Sequence, residues 1–332
     1  MEISLASLSV VGPLRCRAVW WLFIDFGGGL PGTGSPWLVG LDSADDDVVM
    51  RFSLATGQEN TTWDVLRSLW LAADKIELWE SAWVGDHFYP FLGDPSGPCL
   101  EGWVTLTALA QCTQRLRLGV LVSGMPHRHP AVLAKMAATL DNISGGRLML
   151  GLGAAWNETE CGAYGIELGA AGPRMDRFAE GLAVVDSLLT RSATTFAGRY
   201  YQLTDARCAP GPVQRPRPPI TIGGTGERRT MPLVARWADH WDLGFTPPAD
   251  VPRKLQLLDE RCAEIGRDSK EITISVVIRT AGRDPRAVAE DIRAYEAAGC
   301  ELAIVEAVAE DAQDAAGALD RLTEVCLGTL AG

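Results

Sequence analysis

From Met50 onward, short apolar segments of strand character alternate with helical ones, eight times over. The strand segments begin at Arg51, Ser81, Leu116, Arg147, Ile220, His240, Ile272 and Leu302. A helical pattern follows each. In the first, Trp63, Leu66, Leu69 and Trp70 share one face behind the cap candidates Thr61 and Thr62. Eight such units in 283 residues predict an α/β fold, a (β/α)8 TIM barrel. Residues Thr194–Leu203 read as a hairpin turning at Ala197-Gly198, an insertion between strands four and five. A doubly wound open sheet is the competing architecture. It would carry a Gly-rich turn after its first strand, and Thr56-Gly57-Gln58-Glu59-Asn60 is not one.

Residues 1–49 have no helical or strand period and hold Gly27-Gly28-Gly29 and the acidic run Asp45–Asp47. They read as a poorly structured extension or an over-long start of translation, with the barrel domain at 50–332. The other reading is a lid or oligomerisation arm anchored by Trp20, Trp21, Phe23 and Trp37. Of the net charge of −12, this segment contributes −4 and the barrel −8. An acidic surface argues against a general nucleic-acid binder, yet leaves room for a local basic pocket. Eight cysteines without a C-x-x-C pair fit neither a zinc site nor a secreted scaffold. They read as reduced thiols of a cytoplasmic protein. No apolar run reaches the roughly 18 residues of a membrane span. The expected partner is a small molecule, with no nucleic acid and no membrane.

Barrels place function at the C-terminal ends of their strands. There the chain gathers Gly57-Gln58, Asp86-His87, Ser123-Gly124, Gly151–Asn157 and Gly223–Gly226. Glycines with few charges predict a pocket for a flat, partly apolar ligand. His87 beside the Asp86 carboxylate could be oriented for proton transfer, or could simply hydrogen-bond a loop. His127 and His129 lack a third partner for a metal, so no metal site is expected, and a loop with a helix cap is the simpler reading. Gly223-Gly224-Thr225-Gly226 leads into a helix expected over Glu227–Ala238. Such a loop lets backbone amides meet a phosphate, with Arg228 or Arg229 adding charge. The same glycines also make ordinary βα turns. Trp156 offers a stacking face and Asn157 a donor and an acceptor; their plainer roles are core packing and helix capping. Arg174, Arg177 and Glu180 read as an ion-pair ladder on a helix face.

In order along residues 50–325, several segments together resemble the bacterial-luciferase-like flavin and deazaflavin oxidoreductases. They are Trp83-Val84-Gly85-Asp86-His87-Phe88, Arg128-His129-Pro130, Ile143-Ser144-Gly145-Gly146-Arg147, Gly151 through Glu158, Tyr164-Gly165, Gly198-Arg199-Tyr200-Tyr201 and Ile222-Gly223-Gly224. The branch using coenzyme F420 is the most similar. The resemblance implies a cofactor at the strand C-terminal ends, F420 or alternatively FMN. A bulge in strand three near Val120, Leu121, Val122 and Ser123, often with a non-proline cis peptide, would back its ring. Ala155, Trp156 and Asn157 would border it, and Gly223, Gly224, Thr225 and Gly226 would hold its phosphate after strand five. Asp86 and His87 would sit near the reacting edge, His87 as candidate proton donor. The implied reaction is hydride transfer between the deazaflavin and a small organic substrate. The rivals are an FMN-dependent monooxygenase and a catalytically silent flavin-binding barrel. Relatives acting on sugar phosphates place a Glu where this chain has Ala154, which argues against that substrate. Trp79 stands where relatives commonly have Gly, a matter of packing. Phe91, Met125 and Trp156 suggest a partly hydrophobic substrate, and relatives commonly pair through barrel helices, so a homodimer is expected.

Overall fold

Arg51–Ala55 (β1) lies between two parallel neighbours, Trp79–Val84 (β2) and Leu302–Glu306 (β11). A computed structural model describes residues 49–330, so the expectations for 1–48 lie outside the described residues. Beyond β2 comes a strand in two parts, Arg117–Val120 (β3) and Ser123–Gly124 (β4). Both parts pair with Leu148–Gly153 (β5). The ring continues through Ile220–Gly223 (β8), His240–Asp242 (β9) and Thr273–Ile278 (β10) back to β11. Counting the split strand once, eight parallel strands close on themselves as a (β/α)8 barrel. Thr194–Ala197 (β6) and Gln202–Ala206 (β7) form a separate antiparallel pair, which follows β5 and precedes β8 in the chain.

The helices pack outside: Trp63–Ala73 (α1), Gly102–Cys112 (α2), Pro130–Ser144 (α3), Glu158–Ala163 (α4), Ala171–Thr190 (α5), Thr230–Trp237 (α6), Val251–Glu264 (α7), Pro285–Ala297 (α8) and Ala315–Leu330 (α9). Thr62 caps α1 by accepting from the Val65 N–H. Pro130 opens α3, where a missing N–H leaves no hydrogen bond unmade. Gly145 ends α3 at φ 68°, a left-handed turn that a residue with a Cβ resists. The main core lies between strands and helices, with Phe52, Leu54, Leu118, Leu150 and Ile222 buried in it. A second cluster of Trp83, Met149, Leu302 and Ile304 is distinct from it. With this second cluster goes a polar set: the Trp83 indole N–H donates to Ser53 Oγ, 2.5 Å from Ser81 Oγ.

Helix α4 has no counterpart in the sequence reading, and among the bounds that shift, three have a local reason. The strand expected from Leu116 to Val122 breaks after Val120, where the Leu121–Val122 peptide is cis. That is where the resemblance placed the bulge. Helix α6 starts at Thr230 rather than Glu227, because Glu227 pairs with Arg253 and Lys254 and Arg229 pairs with Asp176. Helix α9 starts at Ala315 rather than Ala312, because the Asp311 carboxylate accepts from the Gln313 and Asp314 N–H groups. No described helix is long and apolar enough to cross a membrane.

Candidate active site

The strand C-terminal ends surround a cavity of about 740 Å³. Its base is Leu121 and Val122, the two residues of the cis peptide. Glycines let Val122 pack tightly against the neighbouring strand ends. A Cβ added at Gly153 would lie 2.6 Å from Val122 Cγ2, and one at Gly223 would lie 3.0 Å from it. Behind the base the packing is tighter still, since a Cβ at Gly151 would meet the Val120 carbonyl oxygen at 1.9 Å. Ala155 turns the chain at φ 59° just beyond β5, and Trp156 follows, 60% exposed at the cavity edge. The Phe91 and His87 rings are 4.6 Å apart and those of Trp156 and His87 5.6 Å, so three rings form one wall.

Asp86 and His87, adjacent in sequence, face different partners. The Asp86 carboxylate accepts from both outer nitrogens of Arg128, at 2.8 and 2.9 Å, and from the Gly124 N–H. His127 Nδ1 lies 3.1 Å from it. Burial would raise the Asp86 carboxyl, but hydrogen bonds from His127 and Arg128 outweigh it and hold the group below its ordinary range. Asp86 therefore does not orient His87. Glu160 does: its Oε2 is 2.8 Å from His87 Nδ1, and its Oε1 accepts from the Phe88 N–H. Asn157 Oδ1 is likewise occupied, capping α4 by accepting from the Glu160 N–H at 3.1 Å.

Of the expected cofactor residues, Leu121, Val122, Ala155, Trp156, Asn157, Gly223 and Gly224 line the cavity, as do Asp86 and His87. Val120, Ser123, Thr225 and Gly226 do not. Val120 is buried in the main core, and Ser123 Oγ accepts from the Trp103 indole. The Thr225 carbonyl is taken by Lys254, and the Gly226 carbonyl by the first amides of α6. Met125 is buried and absent from the cavity wall. Nor do Arg228 and Arg229 supply the cation, since neither lines the cavity and Asp176 holds Arg229. Arg174 does line it, beside Thr230 and Gly224. Its guanidinium has no partner among the described residues, and its Nε is buried without a hydrogen bond. The expected ladder is thus absent: Arg177 reaches Glu167, and Glu180 accepts from the backbone of Arg199, Tyr200 and Tyr201.

Besides Glu160, three cavity carboxylates escaped the sequence reading: Glu59, Asp242 and Glu306. Burial pushes Glu59 up, against hydrogen bonds from the Phe91 and Leu92 amides. Burial pushes Asp242 up to about 6, against hydrogen bonds from Ser275 and the Gly244 N–H. Glu306 accepts from the Thr280 and Ala281 amides. All three sit at or just beyond strand ends, where carboxylates could have been sought by position. Glu160 had its own signal, three residues after Asn157 in the spacing of a capping box. No group of three or more His, Cys, Asp or Glu among the described residues could hold a metal ion.

Residues 50–325 match the family model described as luciferase-like monooxygenase. The chain belongs to the luciferase-like monooxygenase family. Uncharacterized proteins of Mycobacterium bovis and Mycobacterium tuberculosis are 33% identical to this family member over 188 residues, 54% of its length. The chain spans 64% of the length of those relatives. Among solved structures, an F420-dependent secondary alcohol dehydrogenase in complex with an F420-acetone adduct is similar at TM-score 0.73. Its identity is 18%, covering 83% of this chain and 99% of that one. The FMN-bound oxygenating constituent of 3,6-diketocamphane monooxygenase from Pseudomonas putida is similar at TM-score 0.63 and 17% identity, covering 83% and 98%. The luciferase-like barrel thus has neighbours that use each cofactor.

Proposed function

We propose that this family member is a cytoplasmic oxidoreductase that moves a hydride between coenzyme F420 and a small, partly apolar organic substrate. One observation carries the reading: a cavity of about 740 Å³ lined both by Arg174, which has no partner among the described residues, and by the His87–Phe91–Trp156 wall. A flat anionic cofactor fits these residues. The missing Cβ atoms at Gly153 and Gly223 let the Val122 side chain pack close against the ends of β5 and β8, beside the cavity that a ring would enter. Arg174, with its orphaned Nε, and the Thr230 hydroxyl are chemically suited to a phosphate. The ordered sequence motifs favour the deazaflavin branch over FMN.

Coenzyme F420, when bound, supplies the hydride donor or acceptor. The chain's own residues do the rest. Leu121 and Val122 would support a bound ring, Gly223 and Gly224 would allow close approach of backbone, and Arg174 with Thr230 would hold the anionic end. Phe91 and Trp156 exclude water and favour apolar substrate groups. His87 holds or releases a proton at Nε2, which has no partner among the described residues.

The test is titration of the purified protein with F420 and, separately, FMN, followed by fluorescence. Saturable F420 binding without NADH-driven oxygen consumption is expected. Tight FMN binding with NADH-driven oxygen consumption overturns the deazaflavin assignment in favour of a monooxygenase. Binding of neither overturns both enzymatic readings.

A further inference from the structure

The Glu160 side chain is 1% exposed, on a helix that carries no cation beside it. A carboxylate so buried costs several kcal/mol unless its oxygens are paired. Among the described residues, two groups hydrogen-bond its oxygens: the Phe88 N–H at Oε1 and His87 Nδ1 at Oε2. The Phe88 amide can only donate. For a carboxylate, which can only accept, His87 must donate too. We infer that Glu160 is a positioning residue that keeps the proton of His87 on Nδ1 and so leaves Nε2, the nitrogen without a described partner, as the reactive one.

Two further contacts make the device rigid. Asn157 caps α4 through the Glu160 N–H, which fixes the backbone that carries the carboxylate. On the other side, the Phe88 and Tyr164 rings pack 4.6 Å apart and tie the His87 loop to the end of α4. The imidazole is thereby held in one rotamer and one tautomer. In the neutral ring, Nε2 is a proton acceptor; after taking a proton it is a donor whose positive charge faces Glu160. The proton on Nδ1 stays in place throughout.

The amide analogue sharpens the argument. In Glu160→Gln, the one carbonyl oxygen must serve the Phe88 N–H, because that partner cannot accept. The NH2 group then faces Nδ1 and can only donate to it. The neutral imidazole is forced into the opposite tautomer, with its proton on Nε2 and its accepting lone pair spent on Gln. The shape is kept while the polarity of the cavity-facing nitrogen is inverted.

This inference rests on the proposed function only for what His87 does to a substrate; the proton's location is independent of any cofactor. The experiment is long-range ¹⁵N–¹H correlation on the full chain labelled with ¹⁵N-histidine. The chain has four histidines, and loss of one set of signals in His87→Asn assigns His87. In the wild type at alkaline pH, a proton on His87 Nδ1 is expected, and a bare Nδ1 overturns the inference. In Glu160→Gln the proton is expected on Nε2; an unchanged pattern overturns it equally. Should that variant fail to fold, the wild-type spectrum alone decides. In turnover assays on whichever substrate the cofactor titration leads to, Glu160→Gln should lower kcat about 10–100-fold with cofactor affinity within about twofold. A fall in cofactor affinity with kcat unchanged would show that Glu160 only shapes the pocket.

Discussion

Asp86 and His87 show why adjacency in sequence is a poor guide to partnership. Neighbouring side chains on an extended segment point apart, so one finds Arg128 and the other Glu160, 73 residues away. The same scale carries two predictions. Arg174 lines the cavity with no partner among the described residues. Arg174→Ala should weaken cofactor binding about 10–100-fold, from one lost charge-assisted contact of about 1.5–3 kcal/mol. Fluorescence titration of that variant reads the change, and an unaltered affinity would place the phosphate elsewhere. Asp242 concerns pH. Its carboxyl rises from 3.8 to about 6 in the fold, so the folded chain holds the proton more tightly than the unfolded one. Its contribution to stability is greatest below about pH 4 and is lost as pH rises through about 6, on the order of 3 kcal/mol in all. Buried His240, lowered to about 3, opposes this, because the unfolded chain takes up its proton first on acidification. Asp242→Asn removes only the first effect. Denaturant melts of both proteins from pH 4 to 7 should show the wild type losing ground to the variant as pH rises, and a constant difference would contradict the assignment.

At the scale of elements, two arginines just before strands have a role that the sequence did not show: Arg147 was legible only as the opening of a strand, and Arg115 not at all. Arg147 leads into β5, and its guanidinium donates to the carbonyls of Ala110, Thr113 and Leu116 and to the Thr113 hydroxyl. Arg115 does the same for Ala73, Ile76 and Trp79. The last carbonyls of α1 and α2 lack partners within their helices, and a cation there satisfies them. Arg147→Ala should therefore cost about 2–4 kcal/mol in denaturant unfolding while cofactor affinity stays unchanged, since the residue lies at the opposite end of the barrel from the cavity. A loss of affinity at full stability would refute this division of labour between the two ends. The helix starts missed at α6 and α9 follow from side chains of Glu227, Arg229 and Asp311 binding locally or to distant partners, which no periodicity records.

For the molecule as a whole, the barrel closes within the described residues, with β1 bonded on both sides by β2 and β11. A chain beginning at Met50 is accordingly expected to melt within about 5 °C of the full-length protein and to bind cofactor equally well. A larger fall in melting temperature would show that residues 1–49 supply part of the core. The alternation of period-2 and period-3.6 hydrophobicity determined the eight-unit barrel, because burial of an apolar face is a local demand repeated along the chain. Glycines at strand ends likewise marked the cavity, because only a residue without a Cβ permits the approach found at Gly151, Gly153 and Gly223. What the sequence could not determine was which charges meet. Glu160 with His87, Arg128 with Asp86, the buried Arg174 Nε without a described partner and the raised carboxyl of Asp242 all depend on groups tens of residues apart. Electrostatic pairing and desolvation are set by distance in space, and only closure of the barrel fixes those distances.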